Sequence, residues 1–235
     1  MIKQKQDQGS YFIGISEIGE SHKRNGKPNQ DSIEFDVIGK TIFLAVSDGL
    51  GSCELSHIGS KQAISFCRDI VIKIENNEIE FSTKEISRYF AKLWNARFSK
   101  TESKKYCATL KAIFVRNDTA ITLSIGDGVL MLISGETLYL SDETISDFVN
   151  ETKCLNYGIK DIDLNAFSHE IFDKLFVFAC TDGVSTSIEE KKRNAFLKAA
   201  SEIEDNNELQ KVLVELTEEI SKYNSDDKTI GVIKI

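Results

Sequence analysis

A buried strand ending in an aspartate and two glycines occupies Thr41 to Ser52, TIFLAVSDGLGS. Thr41 to Val46 is almost continuously apolar, as a central strand would be. Asp48 closes it, and Gly49 and Gly51 follow at once, which is ordinary tight-turn chemistry. Taken alone, Asp48 is a turn residue. A second duty for its carboxylate depends on what recurs elsewhere in the chain.

Beyond Ser52 the apolar period lengthens. Leu55, Ile58, Ala63, Phe66, Cys67, Ile70 and Ile74 recur at three- and four-residue steps, which predicts a long helix over Glu54 to Ile74. Thr83 to Phe98 repeats the pattern, with Ser82 or Thr83 as cap and Phe90, Trp94 and Phe98 on its core face. Before Thr41, Tyr11 to Glu17 and Ser32 to Val37 alternate like half-buried strands. After the helices come Thr109 to Arg116 and Thr119 to Ile125 around Asn117-Asp118. Val129 to Ile133 and Thr137 to Leu140 follow around Ser134-Gly135-Glu136, so two hairpins are expected. Leu175 to Thr181 is a further buried strand, Ala195 to Ala200 and Leu209 to Tyr223 are helical, and Thr229 to Ile235 is a last strand. Paired hairpins with segregated helices imply an α+β fold, two sheets with helices outside. No Pro/Gly/Ser-rich linker divides residues 1–235, so one domain is expected. Ser141 to Lys174 is irregular and polar, the mark of a functional flap or a disordered loop. The charge-dense stretch Glu189 to Arg193 is expected to be a solvated helix start.

Composition narrows the function. The chain has 235 residues, 41 % of them hydrophobic and 28 % charged, which is ordinary for a soluble globular protein. A net charge of −8 argues against a protein held on nucleic acid by phosphate contacts. No apolar run approaches the roughly 18 residues a membrane span needs. The five cysteines are scattered without a Cys-x-x-Cys pair and no secretory segment opens the chain, so reduced thiols and a cytoplasmic location are expected.

The Asp48 pattern recurs. Asp31 ends Pro28-Asn29-Gln30-Asp31 where a strand begins; Asp127 lies in Gly126-Asp127-Gly128 after a strand; Asp182 lies in Thr181-Asp182-Gly183 after another; Asp226 and Asp227 precede the last one. Hard cations such as Mg²⁺ and Mn²⁺ favour oxygen ligands, and strand-end carboxylates converging on one edge could hold them. Glycine lets the backbone approach an ion, and its carbonyl can itself be a ligand.

In this order and spacing, Asn29-Gln30-Asp31, Asp48-Gly49-x-Gly51, Ala108-Thr109, Gly126-Asp127-Gly128, Thr181-Asp182-Gly183 and Asp226-Asp227-x-Thr229 resemble the type 2C metal-dependent serine/threonine phosphatases. A compact bacterial branch is suggested by Ser21-His22-x-x-x-Gly26-x-Pro28-x-Gln30-Asp31, by Ser52, by Ser56-x-Ile58-Gly59 and by Asn150-Glu151-Thr152. The resemblance spans about Gly14 to Ile233. It implies a four-layer αββα sandwich, two antiparallel sheets flanked by helices, with two Mn²⁺ or Mg²⁺ ions between the strand ends. Asp48 would bridge both ions, the Gly49 carbonyl would be a ligand, Asp182 and Asp226 would hold one ion, and Asp31 would reach the site through water. Asp227 stands where the family more often has Asn, and Asp127 belongs to a motif that supports strand architecture. The implied reaction is hydrolysis of phosphoserine or phosphothreonine by a water bridging the ions, with no covalent nucleophile. The implied partners are a phosphoprotein substrate and a cognate serine/threonine kinase, with neither nucleic acid nor membrane.

Three departures bear on that reading. Gly26 stands where many relatives carry a phosphate-binding arginine, leaving Arg24, Lys23 and His22 as the nearby candidates. Leu50 stands where some keep a histidine, leaving His22 and His57 as alternatives; His169 lies in a polar loop. Lys104, with Glu102 close by, stands where an acid would serve a third ion, which argues for two ions. An alternative therefore stays open: a catalytically weak or inactive regulatory or binding module on the same fold.

Overall fold

The computed structural model describes residues 1–141 and 153–235. The chain opens on a hairpin, β1 (Ile2–Asp7) and β2 (Ser10–Glu17), turned by Gln8-Gly9, and a short helix α1 (Glu20–Arg24) follows. A second hairpin, β3 (Ser32–Ile38) and β4 (Thr41–Ser47), leads into α2 (Ser56–Glu75) and α3 (Thr83–Arg97). Next come β5 (Leu110–Arg116), β6 (Thr119–Ile125), β7 (Val129–Ser134) and β8 (Thr137–Ser141). The remainder is β9 (Asn165–Glu170), β10 (Leu175–Cys180), a one-turn helix α4 (Asp182–Ser185), α5 (Glu190–Glu202), α6 (Asn206–Ser221) and β11 (Lys228–Lys234).

The strands form two antiparallel sheets, one ordered β1-β2-β11-β10-β7-β8 and the other β3-β4-β5-β6-β9. Three apolar layers hold them. Phe12, Leu44, Val46, Ile113, Leu130 and Val177 fill the space between the sheets. Phe66, Ile70, Phe90 and Trp94 of α2 and α3 cover the five-stranded sheet; Leu197, Leu209 and Leu213 of α5 and α6 cover the other. The result is the expected αββα sandwich. Strand residues alternate between the inter-sheet core and a helix-facing core, so β4, β5, β7 and β10 carry almost unbroken apolar sequence.

The short elements β1, α1, β9 and α4 escape the hydrophobic pattern. Asn165 to Glu170 lies inside the stretch expected to be irregular, yet it pairs with β6 from Ser124 to Thr119. Arg193 also differs from expectation. It is buried on α5, with a guanidinium nitrogen donating to the Ser185 carbonyl at 3.3 Å. Asn150-Glu151-Thr152 lies outside the described residues.

Register brings the strand ends together. Ser32 pairs with Ser47, Val46 with Lys111, Lys228 with Glu17, and Cys180 with both Ile230 and Val129. The residues just before β3, β7 and β11 and just after β4, β6 and β10 therefore share one edge of the sandwich.

Candidate metal-binding cleft

Asp48 leaves β4 with its backbone clamped by Thr109. Its N–H donates to Thr109 Oγ1 at 3.0 Å, and its carbonyl accepts the Thr109 N–H at 2.8 Å. Gly49 forms a bridge with Ala108 and donates its N–H to the Gln30 carbonyl at 3.1 Å. The turn needs glycine there because α2 begins against it: a Cβ on Gly49 would lie 2.6 Å from the Ser56 carbonyl carbon and oxygen.

Asp31 is buried at the start of β3. Its Oδ2 accepts the Thr181 hydroxyl at 2.7 Å, and Thr181 Oγ1 accepts the Thr229 N–H at 3.0 Å. This relay ties Asp31 to the end of β10 and the start of β11. Its Oδ1 is buried with no hydrogen-bond partner among the described residues. Asp182 opens α4 directly after β10. Asp226 is exposed; its N–H donates to Asn224 Oδ1 at 2.8 Å and its carbonyl accepts the buried Lys228 ammonium at 2.7 Å.

Asp48, Gly49, Asp182 and Asp226 line one cleft of about 140 Å³ together with Gln30, Leu50, Gly51, Thr109 and Asp127, and Asp31 lies beside Asp48. The electrostatics are those of crowded acids. Burial first, then Asp31, Asp182 and Asp226, push the Asp48 carboxyl well above the usual range. Burial also raises Asp31, to about 7, against the opposing pull of the Thr181 hydroxyl. Two ionised carboxylates are both acceptors and cannot hydrogen-bond each other, so this pair is relieved by a shared proton or by a cation.

The donor set is all oxygen, which suits a hard divalent ion. Among the described residues no three His, Cys, Asp or Glu side chains form a cage that could hold an ion unaided. An ion here would therefore keep several waters, as Mg²⁺ commonly does. The orphaned Oδ1 of Asp31 and the upward shift of Asp48 fit such an ion.

The edge thus gathers Asp31, Asp48, Gly49, Asp182 and Asp226. It does not gather the three phosphate-binding candidates: Lys23 is exposed and pairs with Glu20. Arg24 is exposed on α1 and does not line the cleft. His22 is buried instead against Asp227, Nδ1 to Oδ2 at 2.8 Å. Nor does any other candidate side chain enter. His57, in the first turn of α2, has a buried Nδ1 with no hydrogen-bond partner among the described residues and is held low by burial and by Lys61. His169 lies on β9 with Nε2 3.2 Å from the Thr122 hydroxyl, beside the Tyr139 ring. Glu102 and Lys104 are exposed around a short 3-10 turn.

The structure gives two of the sequence's aspartates places that the sequence does not show. Asp127 lines the cleft between Gly126 and Gly128, which have φ of +80° and +93°. Asp227 is a buried hub: Oδ1 accepts the Gly19 N–H at 2.7 Å, and Oδ2 accepts the Gln30 N–H at 2.6 Å besides facing His22. The Asp226-Asp227 doublet was visible. Which member faces inward depends on the β11 register.

Residues 18–218 match the family model for protein phosphatase 2C, and the chain belongs to that family. Similar solved structures share its fold at low identity. RsbX in complex with magnesium is 15 % identical with a TM-score of 0.63, covering 100 % of this chain and 99 % of its own. The catalytic domain of the serine/threonine phosphatase PstP with two manganese ions is 16 % identical, TM-score 0.65, covering 95 % and 97 %. A serine/threonine phosphatase of S. agalactiae is 13 % identical, TM-score 0.67, covering 95 % and 98 %. No curated protein sequence matches the chain.

Proposed function

We propose that this protein removes phosphate from phosphoserine and phosphothreonine in protein substrates, using two Mn²⁺ or Mg²⁺ ions. Asp48, the Gly49 carbonyl, Asp182 and Asp226 would hold them, with Asp31 reaching them through water. The observation that carries this reading is the convergence of Asp31, Asp182 and Asp226 on the half-buried Asp48 carboxyl. Two bound divalent ions supply acidified water as nucleophile and neutralise the charge that develops on the phosphoryl oxygens.

The chain's own groups prepare that chemistry. Thr109 and Ala108 fix the backbone of the Asp48 turn, so the carboxylate and the Gly49 carbonyl are aimed before anything binds. Thr181 orients Asp31 through one oxygen and leaves the other free to accept from a water. Leu50 contributes an apolar wall without a titratable group. The natural partners of such an enzyme are a phosphoprotein and the kinase that makes it, and the chain would act as one domain in the cytoplasm. Among the described residues no helix is long and apolar enough to cross a membrane.

A phosphopeptide panel with Mn²⁺ tests the reading: metal-dependent release of phosphate is expected, and equal release with EDTA present would sink it. A second reading, a binding or regulatory module without turnover, is favoured by one observation: among the described residues no Lys, Arg or His lines the cleft to meet a substrate phosphate. Calorimetric titration with Mn²⁺ separates the two, because absence of binding would leave only the module.

A further inference from the structure

Three cysteines from separate segments meet beside the Asp48 turn. The turn, the start of β5 and the chain near Leu155 run side by side through two bridges, Gly49 with Ala108 and Ala108 with Leu155, and the Leu155 N–H donates to the Ala108 carbonyl at 2.7 Å. Cys107 and Cys154 each immediately precede a bridged residue. Cys53 is tied in by its N–H, which donates to the Leu50 carbonyl at 2.8 Å, while the Leu50 N–H donates to the Cys107 carbonyl at 3.0 Å. Cys107 is the centre of the group, buried, its thiol interacting with those of Cys154 and Cys53 and lying 3.8 Å from the Ser103 carbonyl oxygen. Cys53 and Cys154 are half-buried. The three do not make a metal cage. Cys67 and Cys180 are buried away from them in the two helix-facing cores.

We propose that Cys107 and Cys154 form a disulfide when the protein meets hydrogen peroxide, with Cys154 reacting first. Cys154 is the partly accessible member of the pair, and the Cys107 thiol donating to it holds it below the ordinary thiol range, favouring the nucleophilic thiolate. Its sulfur attacks one peroxide oxygen, the O–O bond breaks, and the departing hydroxide takes up a proton as water, leaving a sulfenic acid. Cys107 sulfur then attacks the Cys154 sulfur; the S–O bond breaks and the Cys107 proton leaves with the hydroxyl as a second water. Two thiols give up two electrons and one peroxide accepts them. Because the Cys107 carbonyl holds Leu50 and Ala108 holds Gly49, drawing Cys107 towards Cys154 displaces the turn that carries Asp48. That consequence for turnover rests on the phosphatase reading; the thiol chemistry does not.

The test is peptide mapping of the full chain after peroxide, with free thiols alkylated before a non-reducing digest. A Cys107–Cys154 cross-linked peptide is expected, lost on treatment with dithiothreitol, while Cys67 and Cys180 remain alkylated. Full alkylation of Cys107 and Cys154, a cross-link through Cys53, or sulfinic acid at Cys154 without a cross-link would each overturn the assignment. Cys154→Ala should leave Cys107 alkylatable after the same exposure, and persistent loss of the Cys107 thiol in that variant would also overturn it. With the phosphopeptide assay as second readout, oxidised wild type should lose roughly tenfold or more in turnover, since displacements of about 1 Å can weaken catalysis that far. Dithiothreitol should restore it, and Cys154→Ala should not respond. A cross-linked protein with undiminished turnover would refute the coupling to the turn, and a protein inactive throughout would refute the phosphatase reading while the peptide map still decides the disulfide.

Discussion

Two groups of carboxyl oxygens lie at the same edge of this fold, and they are treated in opposite ways. Asp227 is met by donors: the Gly19 and Gln30 amides and the His22 ring. Asp48 is met by acids, Asp31, Asp182 and Asp226, and the nearby Oδ1 of Asp31 has no hydrogen-bond donor among the described residues. A buried carboxylate with its donors in place fastens chain segments together. A half-buried carboxylate surrounded by others is a standing electrostatic cost, and such sites are characteristic of functional positions. On the proposed function the contrast separates scaffold from machinery within a few residues of each other, since Asp226 and Asp227 are neighbours in sequence.

The hardest blow to that contrast comes from Asp48→Asn. Removing the charge should lower phosphopeptide turnover about a hundredfold or more, the loss of roughly 3 kcal/mol of transition-state stabilisation. Mn²⁺ heats of binding should vanish with it, and metal-free thermal stability should hold or rise as the repulsion is relieved. A metal-free melting temperature that drops steeply would place Asp48 with Asp227 among the scaffold residues. Asp227→Ala should do the reverse, leaving two amides and His22 without an acceptor. Stranded donors of this kind cost about 1–3 kcal/mol each, and at roughly 2–4 °C per kcal/mol for a chain of this size three of them imply a fall of at least about 6 °C by calorimetry. Asp227→Asn, which keeps one oxygen, should fall less.

A milder effect follows from Asp31. Burial lifts its folded-state value from 3.8 to about 7, so the folded protein binds the proton more tightly than the unfolded chain. Its contribution to stability is therefore complete below the unfolded value and is lost as pH rises towards 7. Metal-free protein should melt progressively lower across that window, and Asp31→Asn should flatten the profile; an unchanged slope would remove Asp31 from the strained group. Smallest of all, Arg24→Ala should change KM for a phosphopeptide less than about twofold, the scale of an exposed charge distant from the cleft. A tenfold rise would return Arg24 to the substrate phosphate.

The same contrast explains what could be read from the sequence. β4, β5 and β10 are packed on both faces, so their apolar runs announce them, and α2 and α3 show their buried stripes. β1 (IKQKQD) and β9 (NAFSHE) are edge strands, fixed by pairing with β2 and β6 rather than by burying a face, and periodicity does not register them. Asp31, Asp48, Asp182 and Asp226 were legible because each sits at a predicted strand end. The hub at Asp227 was not, because its partners are backbone amides and a histidine brought in from distant segments. His22 drew notice for its motif, but its orientation towards Asp227 depends on where β11 docks. The resemblance assigns Asp127 to a motif that supports strand architecture, and only the shared edge places it in the cleft wall.

The position of β11 has a kinetic consequence. It is wedged between β2 and β10 in the middle of its sheet, and the Gly19–Asp227 bond spans 208 residues of chain. Contacts so distant in sequence form slowly, after the loop-closure entropy of everything between them has been met. Until that strand inserts, Asp31 lacks the relay through Thr181 and Thr229, and Asp226 is nowhere near Asp48. Partly folded chains would therefore carry neither hub nor acid cluster, so competence to bind the ions would arrive in one step with the last strand.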